Sequence, residues 1–268
     1  MCRLSGYHIM IVSKYLKTII DFIKLELVCK KFGGNMEKFY FNPIPLNSKT
    51  IRYFPNIETL HFYNDDENFG NGFMINTKEN EDSEVVLREF YRIIVWFNVD
   101  FETINRNKSR NIEFKNVTYT QNDRKKFGNN IPQTVISIGN DCFSGCSSLS
   151  SITIPLSVTS FGDRCFSGCI NLNSITVPFG VTSIGNGCFY GCSNLISVNI
   201  PSNLTSINNF CFDGCSSLSS ITIPLNVTSI GYMCFYKCNS LSSVIIPSSV
   251  KYIGEDSFPS NTVVYRSK

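Results

Sequence analysis

From residue 131 to residue 258 the chain returns to the same phase every 23 residues. Pro132, Pro155, Pro178, Pro201, Pro224 and Pro247 mark the period. Phe143, Phe166, Phe189, Phe212, Phe235 and Phe258 keep it, as do Leu149, Leu172, Leu195, Leu218 and Leu241. The unit reads Leu-x-x-Ile-x-Ile-Pro-x-x-Val-x-x-Ile-Gly-x-x-Cys-Phe-x-Gly-Cys, in six copies of which the first and last are incomplete. A unit this short cannot bury its own apolar side, so neighbouring copies must stack and share one core. Ile152 and Ile154, alternating with Ser151 and Thr153, read as a short half-buried strand that Pro155 ends, because proline has no N–H to give to a ladder. Gly162 and its equivalents Gly139, Gly185, Gly231 and Gly254 are expected at turn positions with unusual dihedrals. The expected fold is a β-rich solenoid with one parallel strand per 23-residue repeat, preceded by an α-helical or α+β N-terminal region.

These residues resemble the leucine-rich repeats of the BspA-like family, whose units carry the same Phe, Gly, Cys, Leu, Ile-x-Ile-Pro and Ile-Gly signature. The resemblance implies a protein-binding solenoid, and for several relatives a surface or secreted adhesin. Three positions depart from the unit. Asn208 replaces the turn glycine, Lys237 replaces the glycine of the fifth Cys-containing turn, and Ser257 replaces a cysteine; the last two are expected on a more solvent-facing end of the stack.

Ten of the 12 cysteines are the pairs Cys142/Cys146, Cys165/Cys169, Cys188/Cys192, Cys211/Cys215 and Cys234/Cys238. Structural zinc favours Cys-x2-Cys knuckles in complementary pairs, and no histidine is near, so the spacing speaks against metal. A disulfide within a pair closes only a tiny loop, with little gain in chain entropy. The remaining reading is a ladder of small core thiols, which fits a reducing, cytoplasmic environment.

The first 128 residues are a different polypeptide, with 19 Lys/Arg and 16 Asp/Glu against five of each in the remainder. Three regions are expected: 1–40 helical, 41–128 a degenerate leucine-rich or α+β connector, and 129–268 the solenoid. Ile9, Val12 and Leu16 share a helical face, and Asp21 is expected to cap a second helix carrying Phe22, Leu25 and Val28. The run Ile9-x-x-Val12-x-x-Tyr15-Leu16, then Asp21-Phe22-x-x-Leu25-x-x-Val28-Cys29-Lys30-x-Phe32, resembles an F-box without its usual Leu-Pro opening. That resemblance implies docking of a Skp-type ubiquitin-ligase adaptor through Ile9, Val12, Leu16, Phe22, Leu25 and Val28; the alternative is a helical cap over the first sheet edge. Further on, Leu60 and Phe62 read as the strand of a degenerate repeat, Ile112 to Tyr119 as another strand, and Asp123 to Phe127 as a solvated turn.

Composition narrows the function. Hydrophobic residues at 43% and charged residues at 17% describe a packed chain, and a net charge of +3 is too small to mark a nucleic-acid surface. No apolar run reaches the ~18 residues that span a bilayer, and Lys14 and Lys17 break the one leader-like stretch, so neither export nor membrane insertion is expected. The sequons at Asn107, Asn116, Asn203 and Asn226 carry little weight in an Asn- and Thr-rich chain. No Gly-x-Ser-x-Gly elbow or phosphate-cradling loop occurs, and both histidines, His8 and His61, lie outside the repeats; no catalytic residue, metal or cofactor is expected. The expected role is a scaffold for a protein or peptide ligand. Its concave face would present Thr153, Leu156, Thr176, Phe179, Asn199, Thr222, Leu225 and Ile245, and a cell-surface adhesin is the alternative.

Overall fold

A computed structural model describes residues 16–28, 36–46, 50–64 and 90–267. They fall into two compact units. One runs up to Val99 and includes Thr103–Asn116; the other holds Asp100–Glu102 and the chain from Val117 onward.

The first unit opens on helix α1, Ile19–Val28. Its cap is Thr18, not Asp21 as expected. Thr18 Oγ1 accepts from Asp21 N at 3.3 Å while Asp21 Oδ2 accepts from Thr18 N at 3.1 Å, so Asp21 is the third helical residue of a reciprocal capping box. Phe22 faces inward against Phe39 and Phe54, edge to face at 5.8 and 5.4 Å. Strand β1, Thr59–Phe62, buries Leu60 and Phe62 in the same cluster and pairs in parallel with β2, Arg92–Asp100, with Thr59 opposite Arg92. The buried Asn42 ties the layers together: its Nδ2 donates to Ile44 O at 3.0 Å and His61 O at 2.7 Å.

The strand expected over Ile112 to Tyr119 is present as β3, after a short helix α2, Phe101–Arg106. Residues 123–127 are not a turn. They belong to helix α3, Gln121–Phe127, because Thr120 and Asp123 form a second capping box. Asp123 is fully buried and accepts from Thr120 N, Thr120 Oγ1, Glu102 N and Phe101 N at 2.7–3.3 Å, which satisfies a charge that would otherwise be costly to bury. Arg124 then reaches the first coil, where Nε donates to Cys142 O at 2.6 Å and the guanidinium lies over the Phe143 ring.

The repeats form the expected parallel solenoid, and the coils that begin at Leu172, Leu195 and Leu241 carry two strands where one was expected, whereas the strand expected at Ile152 and Ile154 is absent: residues 151–154, like 220–223, run up to their proline without a ladder. The Ile-x-Ile-Pro strand appears as β6 (Ser174–Thr176), β8 (Ser197–Asn199) and β11 (Ser243–Ile246). A second ladder comes from Thr-Ser-Ile-Gly: β4 (Ser137–Ile138), β5 (Ser160–Phe161), β7 (Ser183–Ile184), β9 (Ser206–Ile207), β10 (Ser229–Ile230) and β12 (Tyr252–Ile253). Two residues are too short to show alternation in a sequence. The Cys-Phe-x-Gly-Cys segments make a third hydrogen-bonded column. Phe143 N donates to Cys165 O, Phe166 N to Cys188 O and Phe212 N to Cys234 O, all at 2.8 Å. Between these columns the phenylalanine rings stack at 5.2–5.5 Å with planes within 12° of parallel, the offset arrangement that a ~4.8 Å strand spacing permits.

The glycines of the Ile-Gly motif correct the expectation of unusual dihedrals. Positive φ belongs instead to Gly145, Gly168, Gly191 and Gly214, at +68° to +76°. At Gly185 and Gly231 a Cβ would lie 2.4–2.6 Å from backbone atoms of the preceding coil, so glycine is required there by close approach. Asn208 is the one asparagine in this column, and the second ladder divides there: β4-β5-β7 belong to the six-stranded sheet that begins with β1-β2-β3, while β9-β10-β12 form a separate three-stranded sheet. Where Gly185 N and Gly231 N donate to Phe161 O and Ile207 O, Asn208 spans the gap with its side chain, Nδ2 donating to Ile184 O at 2.8 Å. Ser257 also departs from expectation. It is buried, its single hydroxyl proton shared between the carbonyls of Gly231, at 2.8 Å, and Gly254.

Candidate functional site

Each of the repeat prolines opens a tight turn. Val158 N donates to Pro155 O at 3.1 Å, Val181 N to Pro178 O at 3.0 Å and Val227 N to Pro224 O at 3.1 Å. The turn draws the valine inward, where it is fully buried, and leaves the residue after proline at the tip. Leu156, Phe179 and Leu225 occupy those tips and are 71%, 73% and 79% exposed. Large apolar side chains recurring so fully in water along one line form a surface, whereas scattered ones would need no explanation. At ~4.8 Å per coil, Leu156 and Phe179 are neighbours and Leu225 stands ~10 Å beyond Phe179, across the tip held by Ser202.

Thr153, Thr176 and Thr222 are exposed beside this stripe. Ile245, 63% exposed, alternates with buried Val244 and Ile246 on β11 and lies opposite Tyr265 on β13, Val263–Arg266. Asn199 is exposed yet structurally engaged. Its Oδ1 accepts from Val177 N at 3.0 Å and its Nδ2 donates to Val177 O at 3.1 Å, so it bridges two coils in place of a backbone pair.

The residues expected to dock an adaptor part company. Ile9 and Val12 lie outside the described residues, as does the side chain of Val28 at the end of α1. Phe22 is 0% exposed, its ring consumed by the core, so it cannot present itself to a partner. Leu16 packs against that core and Leu25 is half-buried, while Ile20 is exposed, alone among the apolar residues of α1 whose side chains are described.

The cysteines of the repeats are free thiols, all buried except the half-buried Cys146. Cys169, Cys192, Cys215 and Cys238 each donate Sγ–H at 3.1 Å to the carbonyl of Phe143, Phe166, Phe189 and Phe212. Burial pushes the Cys142, Cys169 and Cys238 thiols up to about 12, and those of Cys188, Cys211, Cys215 and Cys234 well above their usual range. Thiols this hard to ionise are poor nucleophiles and poor metal ligands. Among the described residues no cluster of three or more His, Cys, Asp or Glu is arranged to hold a metal ion, and no helix is long and apolar enough to cross a membrane.

Sequence reasoning missed an aromatic group in the first unit. His61 stacks on Phe41 at 5.3 Å and accepts from Trp96 Nε1 at Nδ1, 3.2 Å away. Burial, then the cations of Arg92 and Lys115, lower the pKa of His61. The signal available was the pairing of β1 with β2, which sets Phe62 opposite Val95 and so carries Trp96 toward His61.

Residues 126–212 match the family model for the BspA type leucine rich repeat region, in six copies. The chain is also similar to solved structures. A leucine rich repeat protein of T. pallidum is 27% identical over 49% of this chain and 67% of its own, with a TM-score of 0.41. A leucine-rich repeat protein of Bacteroides ovatus is 30% identical over 58% of this chain and 52% of its own, TM-score 0.43. A leucine rich cell surface protein of Faecalibacterium prausnitzii is 19% identical over 84% of this chain and 64% of its own, TM-score 0.45. No curated protein matches the chain.

Proposed function

We propose that this leucine-rich repeat protein of the BspA type is a non-catalytic scaffold that binds a protein or peptide along the proline-turn stripe. One observation carries the reading: Leu156, Phe179 and Leu225 hold large apolar side chains in water at the same turn of their coils, next to uncharged strand positions. An apolar centre with a neutral polar margin suits an extended peptide or a protein loop and gives phosphate nothing to pair with. The test is peptide display against the full chain, followed by titration of the selected peptides into a Leu156→Ser, Phe179→Ser, Leu225→Ser triple variant. Loss of at least ~100-fold in affinity with an unchanged melting curve is the expected result; undiminished binding refutes the site.

A narrower form of the proposal makes the protein a substrate adaptor in a reducing compartment. The repeat face recruits a client, and residues 7–32 dock a Skp-type adaptor. Its support is the F-box-like order of residues, the exposed Ile20 on α1, and the unbridged thiols of the repeats. Replacing Ile9 and Leu16 by Asp should abolish capture of a purified Skp-type protein, and retained capture removes this reading. Proteolysis of the protein on intact, unpermeabilised cells would instead place it at the surface as an adhesin.

A further inference from the structure

A second surface feature arises where the coils turn before each Cys-Phe step. Asp141, Arg164, Gly187, Phe210, Met233 and Asp256 recur at 23-residue intervals, all with φ between +48° and +58°. A left-handed conformation costs about 1–2 kcal/mol at a residue with a side chain, and five of the six carry one. Gly187 interrupts the column, leaving a gap between Arg164 and Phe210. Over the gap lies a cleft of about 570 Å³, lined by the small Ser144, Ser167 and Gly187 and by the large Tyr190 and Phe210. That is within the ~300–1,000 Å³ of small-ligand sites.

The polar groups of the cleft define what could fill it. Arg164 Nε stands 3.7 Å from Asp141 Oδ1, both side chains well exposed. Asp163 accepts from Asn186 N through Oδ1 at 2.7 Å and carries a second acceptor, Oδ2. Two carboxylates against one guanidinium repel an anion. A cation would compete with Arg164 for Asp141, and a wholly apolar ligand would strip water from charges it could not pair. We propose that this cleft binds a neutral saccharide, its ring lying on Tyr190 or Phe210 and its vicinal hydroxyls bridging Asp163 and Arg164. A sugar ring has an apolar C–H face and hydroxyls that both donate and accept, which matches an aromatic wall beside mixed donors and acceptors. The surface is separate from the stripe of Leu156, Phe179 and Leu225 and does not rest on it.

The test is saturation-transfer NMR on the full chain with maltotriose, mannotriose, lactose and chitotriose as probes, beside heparin as a charged glycan. At least one neutral probe should receive saturation, and Tyr190→Ala should weaken it about tenfold or more. Gly187→Phe should abolish it by completing the column. That variant should fold, because Phe210 already holds the same φ and a Cβ at Gly187 meets only Arg164 Cγ at 3.4 Å and Tyr190 Cβ at 3.6 Å. Transfer to none of the neutral probes, transfer that persists in Gly187→Phe, or binding of heparin alone overturns the proposal.

Discussion

Gly231→Ala separates two explanations of the Ile-Gly column by the sign of its effect. If the glycine marked only a turn, alanine at its ordinary φ would restrict the unfolded chain and stabilise the protein by about 0.4–1 kcal/mol. The structure requires the opposite. The new Cβ would lie 2.5 Å from Asn209 N and 2.6 Å from Asn208 C, about 1 Å inside the distance at which such atoms normally touch. The coils must part there, straining Gly231 N to Ile207 O at 2.7 Å and Tyr232 N to Asn209 Oδ1 at 2.9 Å. Overpacking of about 1–3 kcal/mol, with partial loss of hydrogen bonds worth about 1 kcal/mol each, gives a destabilisation of about 2–4 kcal/mol. In a unit of this size that lowers the melting temperature by on the order of 10 °C. Thermal and urea unfolding followed by far-ultraviolet circular dichroism measure it, with Asn208→Gly as the companion variant. There the clash is absent from the start, and the change should stay within about 1 kcal/mol, because a regained ladder bond offsets the flexibility of glycine. A Gly231→Ala protein as stable as wild type, or more so, would refute close approach as the reason for the column.

Other consequences follow from groups already described. The thiols of the repeats should resist alkylation in the folded protein at pH 8 and react at once in denaturant, counted by mass spectrometry; rapid labelling of more than the half-buried Cys146 would contradict the packing. His61 has its pKa lowered below the ordinary 6.5, so the unfolded chain takes up the proton first. Its contribution to stability is therefore complete above pH 6.5 and declines as pH falls through the lowered value, and Trp96, the single tryptophan, reports it by fluorescence. In a His8→Gln background, His61→Gln should flatten this acid limb. Asp123→Ala removes the acceptor of the buried Phe101 N–H and of the half-buried Glu102 and Thr120 N–H groups and should cost about 2–3 kcal/mol, read as an earlier urea midpoint.

What could be read in the sequence was whatever repeats. Phe143 to Phe258, the prolines and the paired cysteines declare the coil and its inward side, because a position that must fill the same space in every coil takes the same residue. The second ladder escaped notice since Ser183–Ile184 and its equivalents are too short to alternate. The role of Gly231 was invisible for a different reason: a glycine required by a neighbouring coil looks the same as one required by its own φ. Outside the repeats the reading depended on local pattern alone. It found β1 and β3 but placed Phe22 on a docking face when two aromatic rings, Phe39 and Phe54, pack against it in the core, and mistook α3 for a turn because the Thr120–Asp123 capping box was overlooked.

The same distinction locates function. Within a solenoid every coil is a comparison for the next, and columns that never vary are those the stack itself demands. The buried cysteines of the pairs belong to that class: Cys169, Cys192, Cys215 and Cys238 have thiols raised by burial and bonded to a carbonyl of the preceding coil, and they serve packing. Specificity must be written where the fold leaves the residue open. Two such columns stand out. The proline-turn tips carry Leu156, Phe179, Ser202, Leu225 and Ser248; the left-handed corners carry Asp141, Arg164, Gly187, Phe210, Met233 and Asp256. The first varies between apolar and hydroxyl side chains and makes a stripe suited to a polypeptide. The second varies in charge, size and aromaticity, and its one missing side chain opens a cleft. In the corners, φ near +50° is met by aspartate, arginine, phenylalanine and methionine alike although glycine would be easier. Backbone relaxation alone would favour glycine at all six corners, so if the cleft binds as proposed, removal of the corner side chains that line it, Asp141, Arg164 and Phe210, should be felt in binding before it is felt in folding.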